Sequence, residues 1–460
     1  MFSAQTYKDR RNALRESIQS GVVLLLGNEE CGMNYASNVY RFRQDSTFLF
    51  YFGLDLPHLA ALMDLDTGEE WLFGDDVTLD DIIWTGPQPS LQSLAARVHV
   101  FRTQPYAALA EKVAQARTAG RIIHFLPPYR GEHTLALAAL LGLAPGELAG
   151  KSSLLLRQTI INQRLYKSDE ELAVMEEAVR ISCLMHEAAL RDARPGMMEF
   201  QVAARMEAVA SEHGCTLSFP TICTIHGETL HNSAQTHVLR EGDLLLLDAG
   251  AETPEHYAGD ISTTLPVSRT FTTQQKLVYR VTEQMHDTAV ASLRPGIPFR
   301  DVYFRAAIAM VEGLKAIGLM KGDAEEAVHM GAHALFFPHG IGHALGLDVH
   351  DMENLGECLV GYGSEQQKSE QFGLRYLRFA RPLEPRFVLT VEPGLYFIPA
   401  LIDRWEAARQ FTDFVCYDEV RKYIGFGGIR NEENHVITPD GARRLGPSLA
   451  RTIETIEAWR

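Results

Sequence analysis

Five side chains in this sequence have the types and settings that metal-assisted chemistry requires: Asp248, Asp260, His343, Glu392 and Glu432. Leu244 to Leu247 is a run of four leucines, too short for a membrane and suited to a strand buried on both faces, and it ends on the carboxylate of Asp248. A second strand opens on Asp260, the apolar run from Phe387 delivers Glu392, and the glycine-rich stretch from Gly425 ends on Glu432. A buried carboxylate is costly unless a cation answers it, so four acids beside buried strands point to a shared cation. Carboxylates with one imidazole suit two divalent ions of intermediate hardness, with manganese, cobalt or zinc ahead of copper. Two ions about 3.5–4 Å apart share a water, hold it as hydroxide near neutral pH and polarise the bond it attacks, which is hydrolytic chemistry. His339 and His343 stand at i, i+4, but the glycines between them argue against a helix there.

The elements that must position these residues are set by the hydrophobic pattern. At 460 residues the chain is too long for one ordinary core, and two domains are expected, 1–165 and 166–460. The first reads as α/β, with strands at Gly21–Gly27, Thr47–Gly53, Leu59–Asp64, Trp71–Phe73 and Ile122–Leu126 and helices near 106–118 and 134–141. The second opens on a capping box, Ser168 with Glu171, followed by the helical series Leu172, Met175, Val179 and Cys183. That helix stops at Arg194-Pro195-Gly196, and the same tripeptide recurs one hundred residues later as Arg294-Pro295-Gly296, after a helix expected over Thr273–Ser292. Helix, RPG, helix twice over implies two pseudo-symmetric halves with a cleft between them. A polar loop is expected over Met352–Arg378 and an insertion over 398–424.

Composition excludes some partners. A formal charge of −16 and the lack of a basic cluster exclude nucleic acid. No run approaches the ~18 apolar residues of a membrane span, and Lys8 to Arg11 stand where a signal peptide needs its apolar centre. Six cysteines without a CxxC pair or framework spacing read as buried free thiols in a reducing cytoplasm. His58, His99 and His133 stand alone and read as surface or structural residues.

The motifs Leu-Leu-Asp248-Ala-Gly, Gly-Asp260-Ile-Ser, Pro-His339-Gly-Ile-Gly-His343, Val-His350-Asp, Thr-Val-Glu392-Pro-Gly-Leu-Tyr and Gly-Ile-Arg430-Asn-Glu432 resemble those of proline-specific metallopeptidases of the pita-bread fold. That group contains prolidase (Xaa-Pro dipeptidase) and aminopeptidase P. The stretch Tyr40 to Phe48 is similar to the non-catalytic domain that precedes the catalytic one in such proteins. The resemblance implies a two-domain α+β/α/β chain: an N-terminal creatinase/aminopeptidase-P-like α/β domain, then a pseudo-two-fold pita-bread catalytic domain. It implies that Asp248 chelates one metal, that His343 and Glu392 hold the other, and that Asp260 and Glu432 bridge both. Glu392 would also shuttle the proton. His231, His339 and His350 fall where the family places imidazoles around the substrate and its tetrahedral intermediate, and Arg430 would orient Asp248.

Proline leaves a tertiary amide without an N–H, so a peptidase for it grips the free amine and the scissile carbonyl instead. Arg378 matches a position where the prolidase branch binds the dipeptide carboxylate, a task suited to a guanidinium fork. The expected substrates are Xaa-Pro dipeptides or short peptides, with a dipeptidase favoured over an aminopeptidase P acting on longer peptides, in a homodimer or higher homo-oligomer. A catalytically inactive scaffold and metal-free creatinase-like hydrolysis are the other readings, disfavoured because all five ligand positions are present. Three departures from the family pattern stand out: Asp248 and Asp260 lie twelve apart, one more than usual, Ser262 replaces a threonine, and Asn431 replaces an apolar residue.

Overall fold

In the computed structural model, which describes residues 2–363 and 367–460, the unbroken apolar run Val22–Leu26 forms strand β1, buried throughout. The chain divides at Arg164/Leu165 into two units. In the first, β1 pairs antiparallel with β2 (Ala60–Asp64), which pairs antiparallel with β3 (Glu70–Phe73); β4 (Arg102–Gln104) and β5 (Ile123–His124) lie parallel to β3 and β1. The order of this five-stranded sheet is β4-β3-β2-β1-β5. Leu109, Val113 and Ala116 from the helix Ala108–Thr118, with Leu137 and Leu141 from Gly131–Leu141, close one core over Val22, Leu24, Leu62 and Phe73.

The strand expected over Thr47–Gly53 is instead a helix, α1 (Ser46–Phe52), with all seven residues buried. Asp45 caps it by accepting from the Phe48 N–H at 2.9 Å, and Gly53 ends it with φ of 60°. A short aromatic run buried on every side carries no periodicity to separate helix from strand, and the flanking cap residues hold the only signal.

The second unit repeats itself. Helix α2 (Asp169–Asp192) starts on the capping box, Ser168 accepting from the Glu171 N–H at 3.2 Å and Glu171 accepting from the Ser168 N–H at 2.9 Å. Helix α3 (Glu199–Glu212) comes next, and α4 (Thr273–Ala291) and α5 (Phe299–Ala316) repeat the pair. The two RPG turns bond alike: Gly196 donates to Leu239 and Gly296 to Leu383, both at 2.8 Å, while Glu199 donates to His237 and Phe299 to Arg381, both at 3.0 Å. Gly196 and Gly296 hold φ of 89° and 84°, a left-handed geometry that explains the repeated glycine.

Each half contributes a small antiparallel sheet. In the first, β7 (Leu244–Ala249) lies between β6 (Ile222–Thr224) and β8 (Ile261–Pro266). In the second, β12 (Glu433–Ile437) lies between β9 (Val388–Val391) and β13 (Ala442–Arg444), and β10 (Gly394–Tyr396) pairs with β11 (Gly428–Arg430). The polar stretch 352–378 is partly helical, with Glu353–Gly361 broken at Gly356, and its residues 364–366 lie outside the described residues. The insertion 398–424 opens on helix Pro399–Ala407. All six cysteines are unbridged, but only Cys183, Cys215 and Cys223 are buried, and Cys31 and Cys358 are exposed.

Candidate metal centre

Strand register brings the acids together. In the β7–β8 pairing Asp248, the last residue but one of β7, lies opposite Ser262, and Asp260 directly precedes β8. The turn between them includes Glu252–His256, where His256 takes φ of 67° and its Nδ1 reaches Glu252 at 2.6 Å. The His343 segment runs along β9: Thr390 donates its N–H to the His343 carbonyl at 3.0 Å, Glu392 to Ile341 at 2.9 Å, and His343 to Thr390 Oγ1 at 3.1 Å. Glu432 donates its N–H to the Ser262 carbonyl at 2.9 Å, which joins the second half to the first.

The ten residues singled out from the sequence all border one cavity of about 900 Å³: His231, Asp248, Asp260, His339, His343, His350, Arg378, Glu392, Arg430 and Glu432. Within it, single donor atoms of Asp260, His343 and Glu432 lie within 4.8 Å of one another. His343 Nε2 stands 3.3 Å from Asp260 and 3.9 Å from Glu392. Its Nδ1–H donates to the Ala344 carbonyl at 3.1 Å, which fixes the tautomer and turns the Nε2 lone pair toward these carboxylates. A lone pair facing carboxylates repels them unless a proton or a cation stands between. Asp248 Oδ1 and Glu432 Oε1 are buried with no hydrogen-bond partner among the described residues. Orphaned oxygens, a directed imidazole and mutually close donors fit a hard or borderline divalent cation.

Electrostatics point the same way. Burial first, then the neighbouring acids, push Glu432 well above the usual carboxyl range. Burial likewise raises Asp260 against the pull of its hydrogen bond to His343, and raises Glu392 to about 7. Burial pulls His343 down, but its hydrogen bond to Asp260 and the charges of Asp260 and Glu392 carry it up to about 9. Without cations, protons must occupy this centre.

Arg430 ties Asp248 to its neighbours in both halves. Its Nη2 donates to Asp248 Oδ2 at 2.6 Å, Nε to Ser262 Oγ at 3.0 Å and Nη1 to Tyr396 Oη at 3.0 Å. Ser262 donates onward to Glu432 Oε2 at 2.9 Å, so its hydroxyl joins Arg430 to a second acid of the cavity. Tyr396 donates to His339 Nε2 at 2.9 Å, and His339 Nδ1–H donates to the Gly340 carbonyl at 2.8 Å. Burial, then the Arg430 charge, holds His339 down at about 3, so it is neutral. Burial and the His343 charge likewise lower His350 to about 4. His350 stacks on His343 with ring centroids 4.0 Å apart and donates from Nδ1 to Glu353 at 3.1 Å. Asn431 turns away from the cavity and accepts from Tyr279 Oη at 3.0 Å.

Three contributors carry no such mark in the sequence. Tyr396 is the last residue of β10, four positions beyond Glu392. Glu353 links His350 to Arg378, accepting from Arg378 Nη1 at 2.7 Å. Asn434 clamps the Asp260 backbone, accepting from its N–H at 3.1 Å and donating to its carbonyl at 2.6 Å. Asn434 comes after Glu432 at the strand period of two, the one signal that could have pointed to it.

A duplicated helix-and-sheet unit that converges carboxylates and imidazoles on one cavity defines a pita-bread metallohydrolase. The pattern of metallopeptidase family M24 matches residues 173–439, and that of the aminopeptidase P N-terminal domain matches residues 7–123. The chain belongs to metallopeptidase family M24. It is 30% identical over 460 residues to the Xaa-Pro dipeptidase of Homo sapiens, covering 96% of this chain and 89% of the relative. It is 31% identical over 471 residues to the Xaa-Pro aminopeptidase of Escherichia coli (strain K12), covering 99% and 98%. The structure of a variant of Escherichia coli aminopeptidase P in complex with substrate matches with a TM-score of 0.82 at 29% identity, covering 100% of this chain and 98% of that one.

Proposed function

We propose that this chain hydrolyses the bond between an N-terminal residue and proline in dipeptides and short peptides, with dipeptides preferred. One observation carries the reading: the five acid and imidazole residues share a single cavity with Arg378. Two divalent ions held by Asp248, Asp260, His343, Glu392 and Glu432, manganese first and cobalt or zinc next, would supply Lewis acidity and lower the pKa of a water.

The chain's own residues do the rest. Glu392, which borders the cavity 3.9 Å from His343 Nε2, takes the proton of the attacking water and passes it to the departing proline nitrogen. His231, His339 and His350 border the space for the scissile carbonyl and the tetrahedral intermediate, with His350 anchored on Glu353. Apolar walls at Phe219, Ile222, Leu230 and Ile398 suit side chains without hydrogen-bonding needs. Arg378 spends only Nη1 on Glu353 and Glu357, at 2.7 and 3.5 Å. Its Nε and Nη2 have no protein partner among the described residues and are offered to the dipeptide carboxylate.

A second reading, an aminopeptidase acting on longer peptides, is favoured by the cavity volume, which exceeds what a dipeptide fills. Turnover of Ala-Pro against Ala-Pro-Ala by the manganese-loaded protein separates the two. Faster cleavage of Ala-Pro supports the dipeptidase; cleavage of the tripeptide alone overturns it.

A further inference from the structure

Three arginines line the cavity: Arg378, Arg404 and Arg430. Two of them face carboxylates of the chain, Arg430 on Asp248 at 2.6 Å and Arg378 on Glu353 at 2.7 Å. Arg404 has no ion-pair or side-chain hydrogen-bond partner among the described residues. It stands on the helix Pro399–Ala407, exposed, and the acids nearest to it in sequence are already engaged, since Arg421 binds both Asp403 and Glu406. The helix is fixed by the next residue, Trp405, which packs edge-on against Phe372 with ring centroids 5.8 Å apart. Ala400 and Leu401 of the same helix supply apolar cavity wall beside Arg404. An uncompensated guanidinium on an apolar wall is a receptor for an anionic group of the ligand.

We infer that Arg404 is a specificity-determining residue that binds a carboxylate beyond the proline, extending the substrate range from dipeptides to longer acidic-ended peptides. The inference rests on the peptidase function proposed for this cavity and deepens it. Arg378 shares the Glu353 carboxylate with His350, at 2.7 and 3.1 Å, and borders the same cavity, so it lies within reach of a carboxylate on the proline itself. Arg404, out on the insertion helix, meets the residue on the C-terminal side of the proline. Either the C-terminal carboxylate of a tripeptide or an acidic side chain at the third position presents the required chemistry, and both can use the guanidinium fork.

The test compares kcat/KM for Ala-Pro-Ala, Ala-Pro-Ala-amide and Ala-Pro-Glu-amide, using the full-length manganese-loaded protein and its Arg404→Gln and Arg404→Lys variants. The expected result is that wild type prefers the free acid to the amide by about tenfold, chiefly through KM, as a charge-assisted hydrogen bond gives. Arg404→Gln abolishes that ratio and Arg404→Lys retains part of it. Recovery by Ala-Pro-Glu-amide assigns the site to side-chain acids as well; no recovery assigns it to the chain terminus. Equal rates for acid, amide and glutamyl amide in wild type, or an unchanged acid preference in Arg404→Gln, overturn the role of Arg404 while leaving the peptidase function intact. Absence of turnover on every peptide, Ala-Pro included, overturns both.

Discussion

Arg430 grips Asp248 by one carboxylate oxygen only, Nη2 to Oδ2 at 2.6 Å, and leaves Oδ1 buried without a hydrogen-bond partner among the described residues. The arginine's other nitrogens are spent on Ser262 and Tyr396, so the free oxygen is presented at a fixed angle. A lysine reproduces the charge but not the three-way fork. Arg430→Lys is expected to weaken manganese binding about 10–100-fold, as losing a partner that orients a ligand does. Calorimetric titration of the chelator-stripped variant against wild type reads this directly, and equal affinities would show that Asp248 orients itself.

The metal-free centre holds protons that cations must displace. Glu392 is raised from 4.5 to about 7 by burial and its neighbouring acids, and His343 from 6.5 to about 9 by Asp260 and Glu392 against the cost of burial. Both folded-state values lie above the unfolded ones, so their protonated forms stabilise the fold. That contribution is complete below the unfolded values and is lost as pH rises through about 7 and then about 9. The melting temperature of stripped protein is therefore expected to fall between about pH 5 and pH 9, and saturating manganese to remove much of the fall while releasing protons. A flat profile without metal contradicts the assignment.

For Arg378 the expectation is a split between kinetic constants. Arg378→Met should raise KM for Ala-Pro at least about tenfold with a smaller change in kcat, since the bond to the substrate carboxylate is made before and during the reaction alike. Ala-Pro-amide, lacking that carboxylate, should show little difference between variant and wild type. An equal loss on both substrates would assign Arg378 to holding Glu353 and His350 instead.

Stability has its own test at the entry to the catalytic unit. Lys167 Nζ lies 3.0 Å from Asp351 Oδ2, both side chains almost fully enclosed, one position after His350. Asp351 Oδ1 also accepts from the Asp348 N–H at 3.2 Å, but removing the lysine takes a counter-charge from an enclosed carboxylate, and Lys167→Met is expected to cost about 3–5 kcal/mol in denaturant unfolding. A change under about 1 kcal/mol, the range of exposed pairs, would mean that solvent or another group already serves Asp351.

Much of this site was legible because its chemistry sits where strands end. Asp248, Asp260, Glu392 and Glu432 each interrupt or border an apolar run, and a charge in such a place announces itself in one dimension. The duplication was legible too, since each RPG turn needs a left-handed glycine and so leaves its mark in the sequence. What escaped were residues whose role depends on partners distant along the chain. Tyr396 acts by relaying between Arg430 and His339, and Asn434 by clamping a backbone 174 positions away; neither pairing leaves a spacing to read. Ser46–Phe52 misled for another reason. Seven buried residues carry no polar face, so composition spoke for a strand while the caps at Asp45 and Gly53 specified a helix.

The central claim is that Asp248, Asp260, His343, Glu392 and Glu432 together hold a pair of cations. Anomalous diffraction from crystals soaked in manganese, recorded at the manganese edge, tests it most directly. The account predicts two adjacent peaks enclosed by these five side chains. A cavity without anomalous signal, or peaks held by other residues, would contradict it.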